Sequence, residues 1–241
     1  MLEIHWLDKL TYEDGLKLQD ETMQKVRSGQ ATDTLLLLEH EPVYTIGHTQ
    51  DRSSLRSDTL PHPVHTINRG GQATYHGPGQ LVAYPILNLT EIQRDLHRYL
   101  RFLEKAILQT AADFGLTANL SEGFTGVWIE NRKMVSIGVG VRQWISMHGM
   151  AWNITPESLS GFTAITPCGI GGVQMTCLAN EVKKEISVRQ VGDAFSANFR
   201  QGHAEAKSAG NFEAAFSLHE SEQTRDETAL RKSEAPGAAA P

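Results

Sequence analysis

Two cysteines stand among the 241 residues, and their surroundings differ. Cys168 lies in Thr166-Pro167-Cys168-Gly169-Ile170-Gly171-Gly172, where a proline before it and glycines after it fix and expose the backbone. A sulfur placed this way is accessible. Only its thiolate is a competent nucleophile, so a thiol with an ordinary pKa of about 8.5 needs a neighbour that helps it ionise. Cys177, in Met175-Thr176-Cys177-Leu178-Ala179 at the start of a helical stretch, has no such context and is expected in the core. Two residue types could supply the neighbour. His76 and His148 each precede a glycine, and either would make a Cys–His pair. Lys133 stands at the mouth of the apolar strand Met134-Val135-Ser136-Ile137-Gly138, where partial burial would make it usable as a base. Sequence spacing does not choose between histidine and lysine.

A second concentration of chemistry lies upstream, in Arg69-Gly70-Gly71-Gln72-Ala73-Thr74-Tyr75-His76-Gly77-Pro78-Gly79-Gln80. Glycine lets backbone approach a ligand closely. Arginine, histidine and tyrosine interleaved with it place directional donors on that backbone. A simple turn requires one or two glycines and no ionisable group, so this run is built to grip a ligand.

The elements that must position these residues follow from pattern. Thr11 opens a first helix that Gly29 closes, with Tyr12, Leu16, Met23 and Val26 inward. Thr34 to Leu38 and Val43 to Ile46 read as strands, residues 48–62 as a polar loop, and Val64 to Ile67 as the strand that delivers the chain into the glycine run. The spacing predicts a helix over about 91–114, with Thr90 and Gln93 as its capping box, a stripe from Leu96 to Phe114, and Gly115 as its stop. Strands follow from Gly126 to Asn153. A last helix starts at Ser187 with Gln190 as box partner and buries Val188, Val191, Phe195 and Phe199. This order predicts an α+β fold, a mixed and mainly antiparallel sheet with several packed helices.

Composition bounds the rest. With 40% apolar and 21% charged residues the chain is that of an ordinary globular protein, long enough for one substantial core. A net charge of −6 argues against nucleic acid as a partner of the whole surface. Two cysteines without zinc or redox spacing exclude a disulfide framework and predict no metal. No basic-then-apolar leader and no membrane-length apolar run is visible, so a soluble cytoplasmic protein without membrane partners is expected. A single catalytic domain is expected over residues 1–205. Residues 206–241, which pass into a Glu, Ser, Thr, Arg and Ala-rich tail, are expected to be a mostly disordered extension.

The ordered set of motifs resembles the lipoyl(octanoyl)transferases of the biotin/lipoate protein ligase superfamily. These carry Arg-Gly-Gly-x-x-Thr-(aromatic)-His-x-Pro-Gly-Gln, matched by Arg69 to Gln80. They also carry a lysine before an apolar stretch ending Ile-Gly, matched from Lys133 to Gly138. His-Gly-x-Ala-x-Asn is matched by His148 to Asn153, Pro-Cys-Gly by Pro167 to Gly169, and an upstream Glu-His-x-Pro-x-Tyr-Thr-x-Gly by Glu39 to Gly47.

The resemblance implies the fold of those ligases and a transfer of octanoate, without ATP or other cofactor. The donor would be octanoyl-acyl carrier protein. The acceptors would be lysine amines on lipoyl domains of 2-oxoacid dehydrogenase acyltransferase subunits and on glycine-cleavage H protein. Cys168 would carry the acyl thioester, and Lys133 would lower its pKa and later take the amine proton. Substrate binding would fall to Arg69, Gly70, Gly71, Gln72, Ala73, Thr74, Tyr75 and His76, to Ser136, Ile137 and Gly138, and to Gly149, Met150 and Ala151. Tyr75 would wall the acyl channel, and burying the seven carbons beyond the carbonyl is worth about 5 kcal/mol. His76 and amides near Gly138 and Gly149 to Ala151 would face the oxyanion. Arg94, Arg98 and Arg101 are candidates for a basic patch toward the acidic carrier. The competing readings are an ATP-dependent lipoate or biotin ligase, which needs no cysteine nucleophile, and a non-catalytic acyl-carrier-interacting protein.

Overall fold

In the computed structural model the described residues are 1–47, 52–57, 59–67, 72–167 and 172–216. A mixed, mostly antiparallel sheet forms the centre. Its strands are β1 (Leu2–Trp6), β2 (Asp33–Leu38), β6 (Gln80–Ile86), β10 (Ile145–Asn153), β9 (Arg132–Arg142), β8 (Phe124–Ile129) and β7 (Asn119–Ser121), in that spatial order. The eighth strand, β11 (Gln174–Met175), pairs parallel with β9. A second sheet of β4 (Val64–Thr66), β3 (Val43–Ile46) and β5 (Thr74–His76) carries the middle of the glycine run, whose last residue, Gln80, opens β6. The expected α+β class is the one observed.

Helices cover both faces of the large sheet. On one face α2 (Leu96–Asp113) and α4 (Val188–Ala209), the latter preceded by the short α3 (Leu178–Val182), bury Phe102, Leu103, Ile107, Phe195 and Phe199 against Leu81, Val135 and Trp152. On the other, α1 (Tyr12–Ser28) sets Met23 and Val26 against Leu36, Val82, Tyr84 and Ala151. Each fully buried aromatic or aliphatic side chain contributes about 2–3 kcal/mol, so this three-layer stack carries the fold. Asp33, at the start of β2, anchors α4 through His203 Nε2 at 2.8 Å and Lys207 Nζ at 3.1 Å. Burial alone would raise the Asp33 carboxyl, but the donors His203, Asn88 N–H and Lys207 outweigh it and hold the group below its ordinary value.

Local signals settle most helix ends. Thr11 accepts the Asp14 amide at 3.1 Å, and Gly29 closes α1 at φ 74°. Ser187 and Gln190 form the reciprocal capping box of α4. The helix expected from about 91 starts instead at Leu96, capped by Asp95, which accepts the Arg98 amide at 3.0 Å. Thr90 is not its cap: its hydroxyl donates to Asn88 Oδ1 at 2.6 Å inside a separate 3-10 turn, Leu89–Glu91. Gln93 is drawn away to accept the Phe212 amide at 3.2 Å. The boundary expected at residue 205 falls inside α4. Beyond that helix Phe212, Ala215 and Phe216 are buried in the helix-side core, and residues from 217 onward lie outside the described ones.

Two arginines of the expected basic patch have carboxylate partners. Arg98 pairs with Glu213 at 2.9 Å and Arg101 with the buried Glu104 at 2.6 Å, so this helix face offers little uncompensated charge.

Candidate active site

Lys133 reaches its place through a bulge. Between β8 and β9 the register shifts: Val127 faces Val135, yet Trp128 faces Lys133, leaving Met134 as an extra residue. Met134 and Val135 both enter the helix-side core, and Lys133 is turned to the opposite face of the sheet, beside Trp128. There it is 3% exposed, and Nζ lies 5.2 Å from the centroid of the Trp128 ring, a cation–π contact. Gly126, at φ 119°, makes room. A Cβ there would collide with the Val135 carbonyl oxygen and lie 2.9 Å from Lys133 Cε.

From Ser136 to Gly140 the same face of β9 carries small residues, Ser136, Gly138 and Gly140, with Ala151 of β10 opposite Ser136. The stretch from Ser136 to Val141 is half-buried, and the Ser136 Oγ atom is buried without a partner among the described residues. Backbone is therefore approachable over a shallow strip that begins at Lys133. Of the other residues expected to bind substrate, Met150 has its side chain in the helix-side core and Ile137 packs against it. Gly149 marks where strands crowd: a Cβ there would collide with the Ala83 carbonyl oxygen. Between Met150 and Trp152, β10 is paired on both sides, with β6 and β9, which sets the Met150 and Ala151 amides among ladder partners. His148 precedes them in the left-handed region, φ 57°, and donates its amide to Gln19 Oε1 at 2.7 Å.

Within the glycine run, Arg69, Gly70 and Gly71 lie outside the described residues. Gln72 is half-buried, Ala73 fully buried, and Thr74 6% exposed with its hydroxyl unpartnered among the described residues. Tyr75 is packed among Tyr44, His62 and Phe162, with Gly77 and Gly161 leaving no space for a Cβ against its ring. It stiffens the small sheet. His76 Nδ1 bonds Gln80 Oε1 at 2.9 Å, so in the neutral imidazole the proton sits on Nδ1, and Nε2, 3.5 Å from Thr45 Oγ1, is the acceptor.

A chain of polar contacts joins this run to Lys133. Gln80 Nε2 donates to Asn153 Oδ1 at 2.9 Å, and Asn153 Nδ2 donates to the Thr176 carbonyl at 3.1 Å. The Thr176 amide donates to the Lys133 carbonyl at 3.0 Å, and Met175 lies directly opposite Lys133.

Cys168 itself lies outside the described residues, as do Gly169 to Gly171. The chain on both sides of it is fixed. Upstream, Thr166 donates its amide to the Ser54 carbonyl at 2.7 Å, and Pro167 is buried. Downstream, β11 sits on the strand of Lys133. Cys177 is fully buried, as expected, and burial pushes its thiol up.

Several contributors had no signal that singled them out in the sequence. Ser54, in the loop read only as polar, bonds Ala73 N–H through Oγ at 3.4 Å while its carbonyl holds Thr166. It thereby ties the glycine run to the approach of Pro167-Cys168. Glu39, by contrast, was marked by the upstream motif, and it accepts the Gly79 amide at 2.6 Å. Trp128, Arg132 and Glu181 were invisible because their roles depend on strand pairing.

Among the described residues no helix is long and apolar enough to cross a membrane. The Lipoyl protein ligase A/B catalytic domain matches residues 11–200. An octanoyltransferase of Geobacter sulfurreducens is 49% identical over 193 residues, 80% of this chain and 81% of that protein. One of Synechococcus elongatus is 47% identical over 172 residues, 69% and 73% of the two chains. In structure, the chain resembles a lipoate-protein ligase A bound with ATP, TM-score 0.64 at 15% identity over 80% of this chain and 81% of that one. It also resembles a putative lipoate protein ligase from T. acidophilum, TM-score 0.66 at 15% identity over 86% and 91%. These two likenesses establish the fold, and the sequence match over residues 11–200 establishes descent: the chain belongs to the lipoyl protein ligase A/B catalytic domain family.

Proposed function

We propose that this protein transfers an octanoyl group from octanoyl-acyl carrier protein to the lysine amine of lipoyl domains, through a thioester on Cys168. The observation that carries the reading is the bulge that turns Lys133 onto a buried site face, paired with the strand that follows the Pro167-Cys168-Gly169 segment. The octanoyltransferases that are 49% and 47% identical to it over the matched residues support it.

The chemistry balances with the chain's own groups. An ammonium beside a thiol favours the thiolate. The Cys168 thiolate attacks the octanoyl carbonyl, a new C–S bond forms, and the bond to the phosphopantetheine sulfur breaks. That sulfur leaves with the proton of the Lys133 ammonium. The acceptor amine then attacks the Cys168 thioester, the C–N bond forms, the C–S bond breaks, and the amine proton passes to Lys133. One thioester is exchanged for another at little cost and then converted downhill to an amide, so no nucleotide is consumed. Ser136, Gly138, Gly140 and Ala151 provide the uncrowded surface along which an acyl chain lies.

Incubation with octanoyl-acyl carrier protein, without ATP, is expected to load one octanoyl group on Cys168, read by intact mass and peptide analysis. Full transfer by Cys168→Ala, or a requirement for ATP, would overturn the reading. Lys133→Ala is expected to shift Cys168 alkylation to higher pH. An unchanged profile would mean that Lys133 does not promote the thiolate.

A further inference from the structure

The backbone of Lys133 is enclosed in a ring of bonds. Thr176 gives its amide to the Lys133 carbonyl at 3.0 Å and its hydroxyl to Glu181 Oε1 at 2.5 Å. The same carboxylate receives Arg132 Nε at 3.0 Å and Nη2 at 3.1 Å, and Arg132 is the covalent neighbour of Lys133. The circuit therefore closes on itself. Thr176 is 4% exposed, and the Arg132 guanidinium, with help from Thr176, holds the Glu181 carboxyl below its ordinary range against the effect of burial.

A bulged strand needs such a brace. The extra residue Met134 interrupts the ladder to β8 next to Lys133, and β11 offers only a two-residue pairing on the other side. Neither gives Lys133 a continuous ladder, because a bulge leaves its extra residue unpaired and disrupts the pairing locally. The ring fixes the direction of the Lys133 side chain from outside the ladder. Its extension through Asn153 and Gln80 to His76 ties the same point to β10, β6 and β5.

We propose that Thr176, acting through Glu181 and Arg132, is a positioning residue that aims Lys133 for the transfer. This rests on the proposed roles of Lys133 and Cys168 in octanoyl transfer. The Thr176 hydroxyl is committed to Glu181 rather than to donor or acceptor, so its loss affects the rate of the bound complex rather than its formation.

The test compares Thr176→Val, which keeps the shape and removes the hydroxyl, with Thr176→Ser, which restores it, and with Cys168→Ala, using octanoyl-acyl carrier protein as donor. Thr176→Val is expected to lower kcat about tenfold, with KM for the donor within about twofold and the pH profile of kcat displaced. Thr176→Ser is expected to recover both. A wild-type kcat and pH profile in Thr176→Val, with Cys168→Ala inactive, overturns the positioning role. Activity in Cys168→Ala overturns the parent reading instead. Should Thr176→Val not fold, the isosteric Glu181→Gln carries the same expectation and the same refutation.

Discussion

His40 offers a quantitative test of how the layer beneath the glycine run is built. Its ring is fully buried, with Nδ1 donating to the Leu10 carbonyl at 3.1 Å and Nε2 accepting from the Tyr84 hydroxyl at 2.7 Å. The Tyr12 ring lies 5.1 Å away, the His76 ring 5.8 Å away, and Gly15 presses so close that a Cβ would sit 2.7 Å from Cε1. Burial pushes the imidazole from 6.5 down to about 4, although hydrogen bonds to the Leu10 and Thr11 backbone favour the cation. Between those two values the unfolded chain binds a proton that the folded chain refuses. Stability conferred by neutral His40 is therefore present above about pH 6.5 and is lost as pH falls toward 4. The whole interval corresponds to about 3 kcal/mol, and about 2 kcal/mol of it falls between pH 7 and 5. Urea unfolding of the wild type and of His40→Asn at those two pH values isolates the contribution, because the other titrating groups are common to both. The amide of Asn can still donate to the Leu10 carbonyl. The variant is expected to be about 1–2 kcal/mol less stable at neutral pH, having deprived the Tyr84 hydroxyl of the His40 acceptor. It is also expected to lose about 2 kcal/mol less than the wild type on acidification. Equal losses in the two proteins would mean that His40 does not fold as a neutral ring.

Two further substitutions probe the site and its frame. Gly126→Ala forces a Cβ into a backbone with φ 119° and against the Val135 carbonyl and Lys133 Cε, at a cost of about 1–3 kcal/mol for the dihedral alone. Thermal unfolding is expected to shift down by several degrees, with kcat falling more than KM rises. A variant with wild-type melting and rate would mean the strand relaxes around the methyl. Ser187→Ala removes the α4 capping box and is expected to cost about 1 kcal/mol in urea unfolding while leaving the transfer rate unchanged. A loss of rate at unchanged stability would contradict the purely structural role assigned to that cap.

What could be read in the chain beforehand was local. The Ser187–Gln190 box and the Thr11–Gly29 pair of caps are interactions within three or four residues of a helix end, so residue type and spacing settle them. The buried aromatic stripe of α4 follows from helical periodicity in the same way, whereas in α2 Leu96, read as the start of the inward stripe, is exposed and Phe102 is buried in its stead. Where two local signals competed, sequence pattern failed. Thr90 and Gln93 read as the opening of one helix, but Gln93 is taken by the Phe212 amide from the far end of the chain, and Asp95 caps the helix instead.

The chemistry divides along the same line. The residue types, Cys168 within Pro-Cys-Gly, Lys133 before an apolar strand and the glycine run from Arg69, pointed to the class of reaction, because nucleophilicity and backbone access are properties of short segments. The facing of Lys133 came from long-range packing. Strict alternation would place it on the side of Val135 and Ile137, inside the helix-side core. The bulge at Met134 turns it over, and a register shift depends on the partner strand β8, on Gly126 and on the Thr176–Glu181–Arg132 ring, all distant in sequence or silent within it.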